Sequence, residues 1–254
     1  MEEHAAVHVS ITPEHLTTFF GLPITNTLLT AWLIVIALCL VAWFASKKIK
    51  ERPGKFQNAF ETVVESLFNF MATFAGDRAT ARKFFPFSIV IFIFVLASNW
   101  VGILPGVGSI GFHEVHEGTE TFVPLFRSVY SDLNMTLALA LIVVTVVHVV
   151  GIATLGIGKH AGKFFTLRSF GDAFAGLLEF IGEAAKIISF SFRLFGNVFA
   201  GEVLLVVISF LVPYIAPVPF YGLELFVGFI QALIFAVLAM LFLSTATHAH
   251  AEVH

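Results

Sequence analysis

Residues 172–212 run for about forty residues without a proline, and nothing else in the chain limits its fold so strongly. As one α-helix the run is roughly 60 Å long at about 1.5 Å per residue, near twice the hydrocarbon thickness of a bilayer. A helix of that length has to cross a membrane steeply tilted or protrude from it. Asp172 heads the run as its expected N-cap, and Pro213 ends it.

At its centre the run reads Ser189-Phe-Ser-Phe-Arg193-Leu-Phe-Gly-Asn197-Val-Phe-Ala-Gly201-Glu202. An ionised side chain at membrane depth costs from a few to about 17 kcal/mol, so it is tolerated mainly where it is used. Arg193 is therefore the first functional candidate. The bland alternative is a structural cation, tied to a carboxylate on a neighbouring helix or snorkelling to a headgroup. Helical geometry puts Asn197 one turn beyond Arg193 on the same stripe, and Lys186 seven residues back on it, so the neutralising charge must come from another element. Glu202 lies nine residues on, roughly 13 Å along the axis and on the opposite face. One helix carries two polar stripes.

The rest of the chain has the same character. With 58% hydrophobic residues, 12% charged residues and a mean hydropathy of +0.93, it lies far outside the soluble globular range and reads as a polytopic membrane protein. A net charge of −3 with scattered basic residues argues against nucleic acid as a partner. The lone Cys39 sits in an apolar run, which rules out a disulfide framework or a cysteine metal site. The histidines do not suggest zinc: His4, His8, His113 and His116 lie in acidic segments, while His248 and His250 lie in a polar tail. No metal and no cofactor are expected. Met-Glu-Glu-His opens with acid rather than a basic stretch, so no cleavable signal is expected.

Taken in order, residues 1–26 are polar to mixed. A first span over 27–45 stops at Lys47, Lys48, Lys50 and Arg52, a basic run that marks the cytoplasmic side. From 55 to 75, Gln57, Asn58, Glu61, Glu65 and Asn69 alternate with Phe60, Val63, Val64, Leu67, Phe68 and Met71 at helical spacing, predicting an amphipathic helix at the interface. Asp77, Arg78, Arg82 and Lys83 keep it cytoplasmic. A second span over 84–104, with Asn99 in its outer half, ends at Pro105-Gly106. The acidic loop that follows, with Glu114, Glu117 and Glu120, fits the outside. Arg127, Asp132 and Asn134 stand at the outer mouth of a third span over 133–157, which contains His148. That histidine is read as packed or bonded to a carbonyl in preference to a relay. Lys159, Lys163 and Arg168 return the chain to the cytoplasm.

The fourth span covers 173–212, Pro213, Pro217 and Pro219 make an outer turn, and the fifth covers 220–247, with Glu224 and Gln231 seven residues apart on one face. The fold class is all-α, a single integral membrane domain of five spans with one interfacial helix and a long, steeply tilted C-terminal hairpin. The N-terminus lies outside and the C-terminus in the cytoplasm. No internal repeat supports a transporter built from inverted halves.

From inside to outside the fourth segment presents Glu179, Glu183, Lys186, Ser189, Arg193, Asn197 and Glu202; the fifth adds Glu224 near the outside and Gln231 at about the depth of Arg193. Carboxyl groups in low dielectric can take up and release protons at physiological pH, and a fixed arginine between two such groups interrupts a continuous proton wire by repulsion. The pattern describes two half-pathways with a barrier.

The stretch Arg193-Leu-Phe-Gly-Asn-Val-Phe-Ala-Gly-Glu202 closely resembles the signature of subunit a of the rotary F-type ATP synthase. Further matches are Asn99-Trp-Val-Gly-Ile-Leu-Pro-Gly106, Ser131-Asp-Leu-Asn134 followed by Leu137-Ala-Leu-Ala-Leu, Pro53 with Gln57-Asn58 and Glu61, and Gln231. The resemblance implies a bacterial inner-membrane stator that provides two offset half-channels to a ring of c subunits, with the b subunits of the peripheral stalk, the rest of the ATP synthase and membrane lipids as its other partners. It has no catalytic residue and is not an enzyme by itself. The proton path it implies comprises Arg193 facing the ring carboxylate, Glu202, Asn197 and Gln231, and Glu179 toward the cytoplasmic exit; the polar pattern of the residues themselves adds Asp132, Asn134, Ser189, Glu183 and Glu224. Glu224 departs from some well-known members, which have histidine at the matching position. A free-standing proton- or sodium-coupled transporter, with its substrate among Arg193, Asn197 and Glu202, is a second class. A structural membrane subunit is a third, disfavoured by six ionisable groups in one hairpin.

Overall fold

Seven α-helices and two short hairpins make up the regular structure of the computed structural model, which describes residues 13–19, 21–50, 52–104, 106–116, 119–162 and 170–247. The expectations for His4, His8, Pro105, Glu117, Lys163, Arg168, His248 and His250 fall outside the described residues, as do the side chains of Glu114, His116 and Glu120. In chain order the elements are β1 (His15–Phe19), β2 (Leu22–Thr25), α1 (Asn26–Lys48), α2 (Lys55–Ala72), α3 (Arg78–Ile103), β3 (Gly111–His116), β4 (Thr119–Pro124), a 3₁₀ turn at Val129–Ser131, α4 (Leu133–Leu155), α5 (Ile157–Gly162), α6 (Phe170–Leu211) and α7 (Pro217–Thr247). Helices α1, α3, α4, α6 and α7 are each long and apolar enough to cross a membrane. The chain is an all-α polytopic membrane protein.

Local chemistry moves several boundaries away from where hydropathy puts them. Helix α3 starts at Arg78, ahead of the apolar run, because the Asp77 carboxylate accepts the N–H groups of Ala79 and Thr80 at 2.8 Å each and caps the helix there. Helix α4 ends at Leu155, because Gly156 takes a φ of +82° and its N–H closes on Ile152 O at 2.9 Å. Helix α6 already includes Phe170, so Asp172 lies in the first turn, where it favours the helix dipole, instead of capping it. Helix α7 begins on Pro217, a residue suited to a first helical position. Of the three prolines expected to form the turn, only Pro213 therefore remains outside the helices. There the Ile215 N–H bonds Pro213 O at 3.2 Å and forces Tyr214 to φ +80°, a tight three-residue turn.

Both hairpins are antiparallel pairs, β1 with β2 and β3 with β4. The second occupies the stretch that hydropathy reads as an acidic loop.

The chain divides into two compact units. The first comprises Met1–Cys39, Phe94–Thr136 and Phe192–Gln231. Its core includes Ala31, Ile34, Val95, Val129, Tyr130 and Leu194. A buried polar knot ties α1 to the segment before α4: Thr27 Oγ1 donates to Asp132 Oδ2 at 3.1 Å, Asn26 Nδ2 to Pro124 O at 3.3 Å, and the Arg127 N–H to Thr30 Oγ1 at 3.2 Å. The second unit comprises Leu40–Ile93, Leu137–Ser191 and Ala232–His254. Its α7 segment buries Ala232, Ala236, Ala239, Met240 and Leu243, a face at helical spacing whose small residues admit close neighbours. Phe190 packs there against Phe235 and Phe242, with ring centroids 4.5 and 5.6 Å apart, and Ser244 Oγ donates to Ala75 O at 2.6 Å.

Candidate functional site

In the first unit, α3, the segment before α4, α6 and α7 enclose a cavity of about 30 Å³ lined by polar groups from all four: Asn99, Ser128, Asn197, Glu202 and Glu224. That is room for a water or two among groups able to bond them. Glycines make the approach possible. The Glu224 carboxylate of α7 lies directly against Gly201 of α6, where an added Cβ would collide with it. Asn99 donates from Nδ2 to Gly228 O at 3.0 Å, and a Cβ on Gly228 would come within 3.1 Å of the Asn99 Cβ. Trp100 Nε1 donates to Leu225 O at 3.1 Å, which further ties α3 to α7. One charge of the glutamate pair is balanced: the Arg127 guanidinium stands 3.4 Å from Glu202 Oε2, both side chains being largely buried. Tyr130 is fully buried in the same unit, and burial pushes its hydroxyl far above the usual tyrosine range, Ser98 opposing the shift slightly. Its hydroxyl stays protonated and neutral at any physiological pH.

In the second unit, α4, α5, α6 and α7 enclose a cavity of about 60 Å³ lined by His148, His160, Glu179, Glu183, Lys186, Phe242 and Thr245 among others. Lys186 Nζ meets Glu183 Oε1 at 2.7 Å, His148 Nε2 stands 3.8 Å from Glu183 Oε2, and His148 Nδ1 lies 3.2 Å from His160 Nε2. His148 thus meets a second imidazole, a neighbour that the sequence does not indicate.

Arg193 lies on the exposed side of α6, in line with Ala185, Ser189, Gly196 and Ala200 and beside Phe192, while Leu194 and Val198 are buried. A model of the ATP synthase A chain family matches residues 28–244. The chain belongs to that family. Its relatives include the ATP synthase subunit a of Mycobacterium bovis, 36% identical over 98% of both chains, that of Syntrophobacter fumaroxidans, 33% identical over 98% of this chain and 95% of the relative, and that of Campylobacter jejuni, 33% identical over 85% and 87%. This ATP synthase A chain is accordingly a multi-pass membrane component of the synthase complex, and its function is proton transport.

Within this A chain the residues singled out from sequence fall into distinct places. Asn197, Glu202 and Glu224 meet at the first cavity; Glu179 and Glu183 meet at the second. Gln231 is 7% exposed, and its Nε2 has no hydrogen-bond partner among the described residues. Asp132 and Asn134 line neither cavity. Asp132 is buried and caps α4, its Oδ1 accepting the Asn134 N–H at 2.8 Å, while the Asn134 side chain is exposed. Sequence reasoning left Arg127, Ser128 and His160 without a role. Arg127 is separated from Glu202 by 75 residues, and no periodicity links them.

Proposed function

We propose that this A chain is the proton-conducting stator of its synthase, offering one half-pathway to each side of the membrane, with Arg193 as the barrier between them. The exposure of Arg193 carries this reading. A permanently charged group at the middle of an apolar span is tolerated where something answers it, and the line of Ala185, Ser189, Gly196 and Ala200 around it is flat enough for another helix to come close. The partner that fits is a rotating ring of c subunits, each bringing a carboxylate to the guanidinium. Glu202, Asn197, Glu224 and Gln231 serve the outer half-pathway; Glu179, Glu183 and Ser189 serve the inner one. Asp132 and Asn134 belong to the outer mouth, which they hold in shape. The chain itself breaks and makes no covalent bond of a substrate. It sits in the bacterial inner membrane with its N-terminus outside and its C-terminus in the cytoplasm, as the basic segments after α1 and around α5 require, and it is joined to the b subunits of the stalk.

Single cysteines at Ser189, Gly196 and Ala200 in a Cys39→Ser background test the ring contact. Oxidation is expected to cross-link each to a cysteine on the outward helix of the c subunit. No cross-link from any of the three, in complexes that assemble fully, would reject it.

Helix α2 is proposed as the interfacial helix, where it serves assembly. Its Phe56, Phe60 and Val63 are exposed, and Gln57 Nε2 donates to Glu61 at 2.8 Å on the polar side. Changing Phe60, Val63 and Leu67 to serine is expected to reduce the assembled complex several-fold and to leave flux per assembled complex unchanged. Quantifying intact complex on native gels beside proton pumping checks this. Full assembly with lost flux would place α2 in the proton path.

A further inference from the structure

We propose that the start of α3 is a binding site for one anionic phospholipid, its phosphate held by Arg78 and Arg82 and an acyl chain laid along the exposed face of the helix that continues from them. It needs only that α3 crosses a membrane. The two arginines, four residues apart, share a face of the helix, and both are exposed. Arg78 is anchored on α2: its Nη2 donates to Asn69 Oδ1 at 3.1 Å, and its guanidinium carbon stands 5.6 Å from the centroid of the Phe68 ring. That bond uses one of the five donors of a guanidinium, and the fork keeps the others for an oxyanion such as a phosphate diester.

Among the described residues no carboxylate pairs with either arginine; the ion pairs there join Arg127 to Glu202, and His148 and Lys186 to Glu183. Asp77 precedes Arg78 but caps the helix, accepting the Ala79 and Thr80 N–H groups at 2.8 Å each. Glu65, one turn before Asn69 on α2, forms no ion pair with them. Lys83 adds a third positive charge beside Arg82, with its Nζ 5.3 Å from the centroid of the Phe84 ring.

Beyond the arginines the same face of α3 is apolar and open. Arg82, Pro86, Val90 and Ile93 follow one another at helical spacing and are all exposed, Val90 at 63% and Ile93 at 39%. From Arg82 to Ile93 the strip runs roughly 16 Å at about 1.5 Å per residue. One leaflet's share of a hydrocarbon core about 30 Å thick is nearly the same length. A soluble acidic partner would use the arginines and leave the strip bare, and an apolar helix would cover the strip and leave the charges unanswered. An anionic phospholipid uses both.

The experiment reads which lipid touches the strip. A bimane label on Val90→Cys, in a Cys39→Ser background where it is the one reactive thiol of the complex, loses fluorescence on contact with bromine carried by a lipid chain. The whole synthase is reconstituted into mixed phosphatidylcholine and phosphatidylglycerol vesicles, with the bromine on one lipid or on the other. Phosphatidylglycerol is expected to be preferred at the label at least about fivefold, the effect of a single cation near an anionic headgroup. Adding Arg78→Gln and Arg82→Gln together is expected to bring the preference close to parity. Equal quenching by the two lipids in the parental complex would overturn the site, and so would a preference that survives both substitutions. Quenching by neither lipid would mean that another subunit covers the strip, and overturns it equally. Where the double variant assembles poorly, salt decides on the parental complex: screening is expected to erase the preference, and a preference that salt leaves unmoved rejects the arginines as its cause.

Discussion

Arg193→Ala is expected to leave the synthase assembled and to abolish proton-driven ATP synthesis, a loss of at least about a hundredfold, or ~3 kcal/mol in activation terms. Assembly survives because the side chain is exposed and its removal opens no cavity in this chain. On the half-pathway proposal, synthesis fails because nothing would then prevent a proton from passing between the half-pathways without turning the ring. Lysine is not an equivalent substitute. Its ammonium is a point charge that can lose its proton when desolvated, whereas the guanidinium stays charged over a planar fork. Arg193→Lys is expected to retain assembly and only a small part of the coupling. Synthesis rates in energised vesicles, scaled to the amount of complex on native gels, give the answer; a normal rate with Arg193→Ala would remove the central claim.

The second large effect concerns Glu202 and Glu224, and the two are expected to differ. Both carboxyls line a cavity of about 30 Å³, where two like charges would repel. Arg127 answers only one of them, at 3.4 Å from Glu202. Glu202→Gln removes the carboxylate paired with a largely buried guanidinium and is expected to lower both assembly and flux. Glu224→Gln keeps the ion pair, so assembly is expected to be full and flux down about tenfold. The same pair tests sidedness. Single cysteines at Glu202 and Glu224, in a Cys39→Ser background, are expected to react with a small thiol reagent that blocks flux from the outer side, and cysteines at Glu179 and Glu183 from the cytoplasmic side. Reversed or indifferent sidedness would sink the two half-pathways, while equal loss of assembly in both glutamine variants would deny Arg127 its selective partnership.

Five spans, an arginine in the middle of the fourth, and carboxyl groups before and after it are all legible in the sequence of this chain. Each depends on hydropathy or charge summed along a local stretch, and a span of twenty or more apolar residues has one physical solution in a bilayer. Glu202 and Glu224 could be put together before any coordinates, because two consecutive antiparallel helices bring their outer halves together; that Asn197 joins them could not.

The tertiary structure decided what no local sum contains. That Arg127 balances Glu202, and that Asn99 and Ser128 join their cavity, depends on which helices pack side by side and on where Gly201 and Gly228 let them close in. That His148 meets His160 is not legible in the sequence, because the second ring, twelve residues on, reaches it only through the reversal at Gly156. Asp132, grouped by sequence with the proton path, proved to be held by the α4 N-terminus and Thr27. Even the start of α3 at Arg78 was set by the capping carboxylate of Asp77 and not by the apolar run behind it. Hydropathy reports what must be buried; the choice of partner for each polar group is made only when distant segments compete for the same small space.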